Sequence, residues 1–332
     1  MNVLSLFDGI SCGQIAFDRL GIKFDKLSVD NDMTNRERER ERESNYYFAS
    51  EIKPIAIKCA TKNYPNTIEI GDVCKLHYDK QNEILYTENG DYHVHIDMII
   101  GGSPCQDFSM AGAIWKDYSK SYGLKGSKSS LFYEYLRLKK EINPKYFLLE
   151  NVKMRKQSEK ELNKFMGVNG IHINSTLVSY QRRERIYWTN IPNVETPKDK
   201  NISFQTYKSN NKIECDEAMV PKTPSRVRMW GDGIKKYGIK SCYNITNENK
   251  IYTLTRKQDR CPNSGLIQYK DFCRFLTRSE IEQAQTLPIG YTNMLSYNQM
   301  QDVCGDGWTV DVIKHILSFI PKNELNKFRN NN

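Results

Sequence analysis

Short apolar runs alternate with helical repeats along the first 190 or so residues, and that alternation limits what the chain can fold into. Val3-Leu4-Ser5-Leu6-Phe7, Tyr46-Tyr47-Phe48-Ala49, Thr67 to Ile70, residues 94–100 and Tyr146 to Leu149 each read as a strand. Cys12 to Leu20, Pro54 to Asn63 and Leu131 to Ile142 carry helical spacing between them, with Pro54 at a first-turn position. A helix around Glu159–Met166 precedes two further β runs, Ile173–Val178 and Arg185–Ile191. This order predicts an α/β fold built on a doubly wound, mostly parallel sheet covered on both faces. Ligands of such sheets bind at the carboxyl ends of the strands.

The chemistry-bearing residues fall at those ends. The run Ile96–Ile100, broken only by Asp97, stops at Gly101-Gly102-Ser103-Pro104-Cys105-Gln106-Asp107-Phe108-Ser109. A proline fixing the backbone just before a cysteine presents a thiol on a tight turn, where α/β enzymes carry nucleophiles; an inert buried thiol is the other reading. Phe7-Asp8-Gly9-Ile10-Ser11-Cys12-Gly13 forms a glycine-bearing turn after the first strand, and it lacks the GxGxxG pattern of dinucleotide sites. Leu148-Leu149-Glu150-Asn151-Val152 sets a carboxylate at the end of the fifth strand. Gln181-Arg182-Arg183-Glu184-Arg185 leads two spaced arginines into a β run, and Gly305-Asp306-Gly307-Trp308-Thr309-Val310 opens the last helical stretch.

Charge is distributed unevenly. The chain carries a net charge of +9 over 332 residues, and residues 181–280, with 20 Lys/Arg against 11 Asp/Glu, hold all of the excess. The same segment carries Tyr207, Trp230, Tyr237, Tyr243, Tyr252 and Tyr269. Basic side chains interleaved with aromatics point to phosphate backbones, against the plainer reading of a solvated basic face. Nine scattered cysteines form no CxxC pair and are not interleaved with the five histidines at zinc spacing, so no metal is expected and the thiols read as reduced. No apolar run reaches membrane-spanning length and residues 1–7 lack a basic signal start, so a cytoplasmic protein with no membrane partner is expected. The alternating Arg-Glu run at 36–43, inside a polar insertion at 26–44, pairs its own charges and has no apolar face.

In their order and spacing the five blocks resemble the motifs of the DNA (cytosine-5)-methyltransferase family, of prokaryotic or phage type. The resemblance covers about residues 1–190 and 273–320. It implies a Rossmann-like methyltransferase fold, S-adenosyl-L-methionine as methyl donor, and double-stranded DNA as partner. It also implies a monomer acting in a bacterial or phage-infected cytoplasm, with a separately encoded cognate restriction endonuclease as a possible partner.

The resemblance assigns Cys105 as the nucleophile that adds to cytosine C6, and Glu150 as the group that carries or shares the proton at N3. Arg185 resembles the arginine at the cytosine edge, and Arg183 its partner near the base. The donor is expected against Phe7, Asp8, Gly9, Ile10 and Gly13, with Glu51 on the ribose hydroxyls, Asp72 on the adenine amino group, and Pro104, Asp306, Gly307 and Trp308 close by. Asp306 stands where the family pattern has Asn, which puts that donor contact in question. An ordinary loop carboxylate is the other reading of Glu51 and of Asp72. Residues 1–191 and 273–320 are expected to form the catalytic domain, 192–272 the target-recognition domain, and 321–332 a polar tail. Expected DNA contacts are Ser109, Gln181, Arg226, Arg228, Lys235, Lys236, Arg256, Lys257 and Arg260. Three other readings stay open at this point: the same chemistry on a tRNA cytosine, a DNA-binding relative without turnover, and a small-molecule methyltransferase.

Overall fold

The computed structural model describes residues 1–27, 44–104, 130–230, 243–258 and 262–329. Contacts divide the chain into two units, residues 1–173, 184–196 and 314–332 in the first and residues 174–183 and 197–313 in the second.

The first unit is built on β1 (Val3–Leu6), β2 (Tyr47–Ser50), β3 (Ile68–Glu69), β7 (Met98–Gly101), β8 (Tyr146–Val152), β9 (Ile171–Asn174) and β10 (Glu184–Thr189), after numbering β4 (His77–Asp79), β5 (Ile84–Thr87) and β6 (Gly90–His93) between them. The seven-stranded sheet runs β3-β2-β1-β7-β8-β10-β9. Its first five strands pair in parallel, and β10 runs antiparallel to β8 with Tyr187 opposite Glu150 and Arg185 opposite Val152. Helices α1 (Cys12–Asp18), α2 (Pro54–Asn63), α3 (Ser130–Ile142) and α4 (Lys156–Met166) supply the crossovers. Because both sheet faces are covered, β1, β2 and β7 are buried at every position, which is why they read as unbroken apolar runs rather than alternating ones. Leu4, Leu6, Phe48, Ile99, Phe132, Tyr135, Leu149 and Trp188 form the centre of the core; each such burial contributes about 1.5–3 kcal/mol.

Ile173–Val178 is not one β run, because β9 ends at Asn174 and its side chain caps a short 3-10 turn at Ser175–Leu177. The antiparallel three-stranded sheet β4-β5-β6 went unread, since its strands are short and half exposed; Asn89-Gly90 at the β5–β6 turn was the available signal.

The tail is also structured. Lys322–Arg329 forms a helix held to the first unit by Tyr146 Oη donating to Glu324 (2.9 Å), Asn45 Nδ2 to the Phe328 carbonyl (3.0 Å) and Arg329 Nε to the Leu20 carbonyl (2.6 Å).

The second unit carries short helices at Phe204–Tyr207, Lys212–Glu217 and Pro224–Arg228, a two-stranded hairpin β11 (Ile267–Tyr269) with β12 (Phe272–Arg274), and longer helices at Arg278–Ala284, Tyr297–Asp306 and Val310–Leu317. The predicted capping box is present, Thr277 accepting from Glu280 N while Glu280 accepts from Thr277 N. The division also differs from 191 and 272. Gln181 is fully buried and reaches the Ala284 carbonyl, Gln285 and the Leu254 amide, which joins 174–183 and 277–313 to the same interior.

Candidate active site

The turn after β1 is the most strained stretch of backbone in the first unit. Phe7, Gly9 and Ser11 all take left-handed conformations, with φ of 58°, 63° and 55°. A bulky residue there is uncommon and costs free energy, so the surroundings must fix it. Asp8 does so from inside the turn. Its Oδ1 accepts from Ser5 Oγ and Tyr47 Oη, both at 2.6 Å, and its Oδ2 accepts from Ser11 Oγ. Burial pushes the Asp8 carboxyl above its ordinary value, against the pull of those three hydroxyls.

Glu51 follows β2 and closes the other side. It accepts Gly9 N at 2.9 Å, Ile52 N at 2.9 Å and Lys53 N at 3.0 Å, so the carboxylate and the glycine turn form one unit. A Cβ at Gly9 would meet nothing within 4 Å, which leaves open space beside the turn. Next along the sheet edge, Glu69 at the end of β3 has both carboxyl oxygens buried and no hydrogen-bond partner. Burial first, then the facing carboxyls of Asp8 and Glu51, push it up to about 8. Asp72 follows the left-handed Gly71, and its side chain caps Cys74 N at 3.0 Å.

A second group of residues sits at the ends of β7 and β8. Glu150 is 8% exposed and pairs with Arg185 across the antiparallel ladder, Nε to Oε1 at 2.9 Å. Beside it Asn151 donates through Nδ2 to Ser103 Oγ at 3.2 Å and to the Ser103 carbonyl at 3.4 Å, tying the Ser103-Pro104 turn to β8. Cys105 and Ser109 lie outside the described residues.

These contacts correct several sequence-based assignments. Asp8 faces into the turn, where three hydroxyls hold it. Gly13 is a packing residue: a Cβ would sit 2.6 Å from both Ile100 Cδ1 and Tyr47 Oη. Ile10 is buried as well. Gln181 is interior, donating to the Ala284 carbonyl and to Gln285. Arg183, in the second unit, is 3% exposed and donates to the carbonyls of Leu254 (2.9 Å), Gly305 (3.1 Å) and Gly307 (2.8 Å), which makes it a brace for that loop. The block Gly305–Val310 closes the helix that ends at Asp306 and opens the next one at Val310, and a Cβ at Gly305 would press on the Thr255–Arg256 backbone at 2.6 Å. Asp306 lies 3.7 Å from Arg256 Nε, and Trp308 is buried.

Of the expected DNA contacts, Arg228, Arg256 and Lys257 are exposed, while the Arg226 guanidinium lies 5.9 Å over the Phe275 ring. Lys235, Lys236 and Arg260 lie outside the described residues. The sequence reading missed Ser5, Ser11 and Tyr47 around Asp8, the orphaned Glu69, and Asn151. Ser5 within an otherwise apolar strand was the one visible hint. Among the described residues no group of His, Cys, Asp and Glu is arranged to hold a metal.

The family comparison decides the identity. The family described as C-5 cytosine-specific DNA methylase matches residues 1–322. The chain belongs to that family. Its curated relatives include the orphan methyltransferase M.Rho11sI of Bacillus phage rho11s, 32% identical over 155 residues, and the Type II methyltransferase M.NlaIV of Neisseria lactamica, 36% identical over 105 residues. Those stretches are 46% and 32% of this chain but only 23% and 20% of the relatives' own lengths. In solved structures the methylase fold is matched by the Entamoeba histolytica methyltransferase EhMeth, at a TM-score of 0.65 and 16% identity, covering 96% of this chain and 97% of that one. The S. pombe Dnmt2 methyltransferase matches with a TM-score of 0.56 at 14% identity, over 96% and 97% of the two chains. The α/β fold with its mostly parallel sheet is therefore the family's Rossmann-like fold.

Proposed function

We propose that the chain transfers a methyl group from S-adenosylmethionine to C5 of cytosine within a short duplex DNA site. The observation that carries this reading is the buried Glu150–Arg185 pair beside the Asn151-held Ser103-Pro104 turn, where a carboxyl, a guanidinium and the chain leading to Cys105 converge. In this mechanism the Cys105 thiolate adds to C6, pushing electrons toward N3, which Glu150 meets with a proton. Arg185 fixes the Glu150 carboxyl and faces the cytosine edge. Loss of the C5 proton and expulsion of the Cys105 sulfur complete the cycle. The bound donor supplies the electrophilic methyl group. The residues fit it: Gly9 leaves open space at the strained turn, and Glu51 offers a carboxylate held from behind by three amides. The target base has to leave the stack to reach this site, at a cost of a few kcal/mol.

The exposed cations of the second unit are assigned to DNA binding, and residues 192–272 to target recognition. No helix among the described residues is long and apolar enough to cross a membrane. Monomeric action in a cytoplasm, alone or beside a separate endonuclease, belongs to the same proposal.

The test uses duplexes carrying 5-fluorocytosine at sites mapped by bisulfite sequencing of plasmid from expressing cells. A cross-link at Cys105 is expected, and Cys105→Ser should lose both it and turnover while still binding the donor. Glu150→Gln should slow methylation by about 10²–10⁴-fold. Methylation of tRNA in place of duplex DNA, or full turnover by Cys105→Ser, would overturn the reading.

A further inference from the structure

Most cations of the second unit whose contacts are described sit on carboxylates, such as Lys222 on Asp271 (2.7 Å) and Lys270 on Asp216 (2.5 Å). Arg182 does not. It is exposed, makes no ion pair among the described residues, and its guanidinium carbon lies 4.9 Å from the centre of the Tyr252 ring. Tyr252 in turn stacks on Tyr243, with ring centres 3.7 Å apart and planes 24° from parallel. The result is a cluster of one guanidinium and two stacked phenols, drawn from three separate stretches of chain.

The backbone under each layer is pinned. Arg182 N donates to the Ile251 carbonyl at 2.9 Å, and Thr253 Oγ1 donates to the Arg182 carbonyl at 2.6 Å. Tyr252 N donates to the Ser264 carbonyl (3.1 Å), and the Tyr243 carbonyl accepts Leu266 N (2.7 Å). The flanking residues, Gln181 and Arg183, are buried and bonded inward. Lys250, which precedes Ile251 and Tyr252, turns inward to the carbonyls of Thr176 and Ser179. Among these described residues, Arg182 is the cation that stays exposed.

Stacking covers the faces of a guanidinium and leaves its N–H fork free in the plane. The stack also removes much of the rotamer freedom that a lone surface arginine would lose on binding. With the backbone fixed on both sides, such a group positions a partner rather than exploring it. We propose that Arg182, pre-oriented by Tyr252 and Tyr243, is a phosphate anchor for the DNA backbone. The inference rests on the DNA reading given above and adds to it a residue that the family motifs do not assign.

The test is duplex binding by the full chain at salt concentrations between about 50 and 200 mM, with a duplex carrying the mapped site and a scrambled one. Arg182→Ala should weaken both by roughly three- to tenfold and lower the slope of log affinity against log salt by about 1. Arg182→Lys should restore the slope but not the full affinity, since the charge returns without the stack. Tyr252→Leu should weaken binding with the slope unchanged. Unaltered donor binding by each variant controls for folding. Wild-type-like binding by Arg182→Ala, or a loss confined to the mapped site, would overturn the anchor while leaving the DNA reading intact. A wild-type chain that binds neither duplex would instead remove the DNA reading itself.

Discussion

The sheet edge of the first unit and the interior of the second treat buried carboxyls in opposite ways. In the second unit Glu280 is fully buried and completely engaged: Arg274 donates to it through two nitrogens at 2.7 and 2.8 Å, and Thr277 N and Ser209 N add 2.7 and 2.8 Å bonds. Glu282 is held likewise by Gly290 N, Thr292 N and Thr292 Oγ1. At the sheet edge Asp8 is caged, Glu51 is held from one side, and Glu69 has no hydrogen-bond partner among the described residues. A satisfied buried carboxyl specifies architecture. A half-satisfied one raises the free energy of the folded chain and persists where a ligand has to be met.

The comparison breaks most sharply at Glu280. Glu280→Ala leaves Arg274 charged and buried with no carboxylate partner, only the Phe275 carbonyl at 2.9 Å, and should destabilise the protein by about 3–5 kcal/mol in urea unfolding. At the sheet edge, Tyr47→Phe removes one donor from Asp8 and should cost about 1–3 kcal/mol, with donor affinity falling as the turn loosens. Equal small effects at both positions would show that the two regions do not differ.

Glu69 gives the opposite sign. Its carboxyl stays protonated in the folded chain up to about pH 8 but ionises near its ordinary value of 4.5 when unfolded. The folded state then binds more protons across that window, so wild-type stability falls as pH rises from about 4.5 to 8 and is level on either side. Glu69→Gln should remove that slope and stabilise the protein by about 1–2 kcal/mol at pH 8, after allowance for screening. Matched unfolding curves at pH 5 and pH 8 check it, and parallel curves for the two proteins would refute the assignment. The smallest effect is expected at the capping box, where Thr277→Ala should cost about 1 kcal/mol.

Much of the first unit was legible in advance. Pro54–Asn63 is the helix its pattern predicted, and Glu150 and Arg185 stand on adjacent strands as their blocks implied. Strand ends are local features, set by where an apolar run meets glycine, proline or a charge. The short exposed strands at 77–93 and the helix in the polar tail were not legible, because neither carries a long apolar repeat.

The linear sequence determined the order of strands and helices, the glycine-bearing turn after β1 and the block that carries Glu150, since each follows from residues close together in the chain. Only the tertiary structure decided that Asp8 and Gly13 face inward, that Gln181 and Arg183 brace an interior, and that Arg182 lies on two tyrosines from other stretches. The direction of a polar side chain depends on which donors and rings the fold brings to it, and those come from residues far away in sequence.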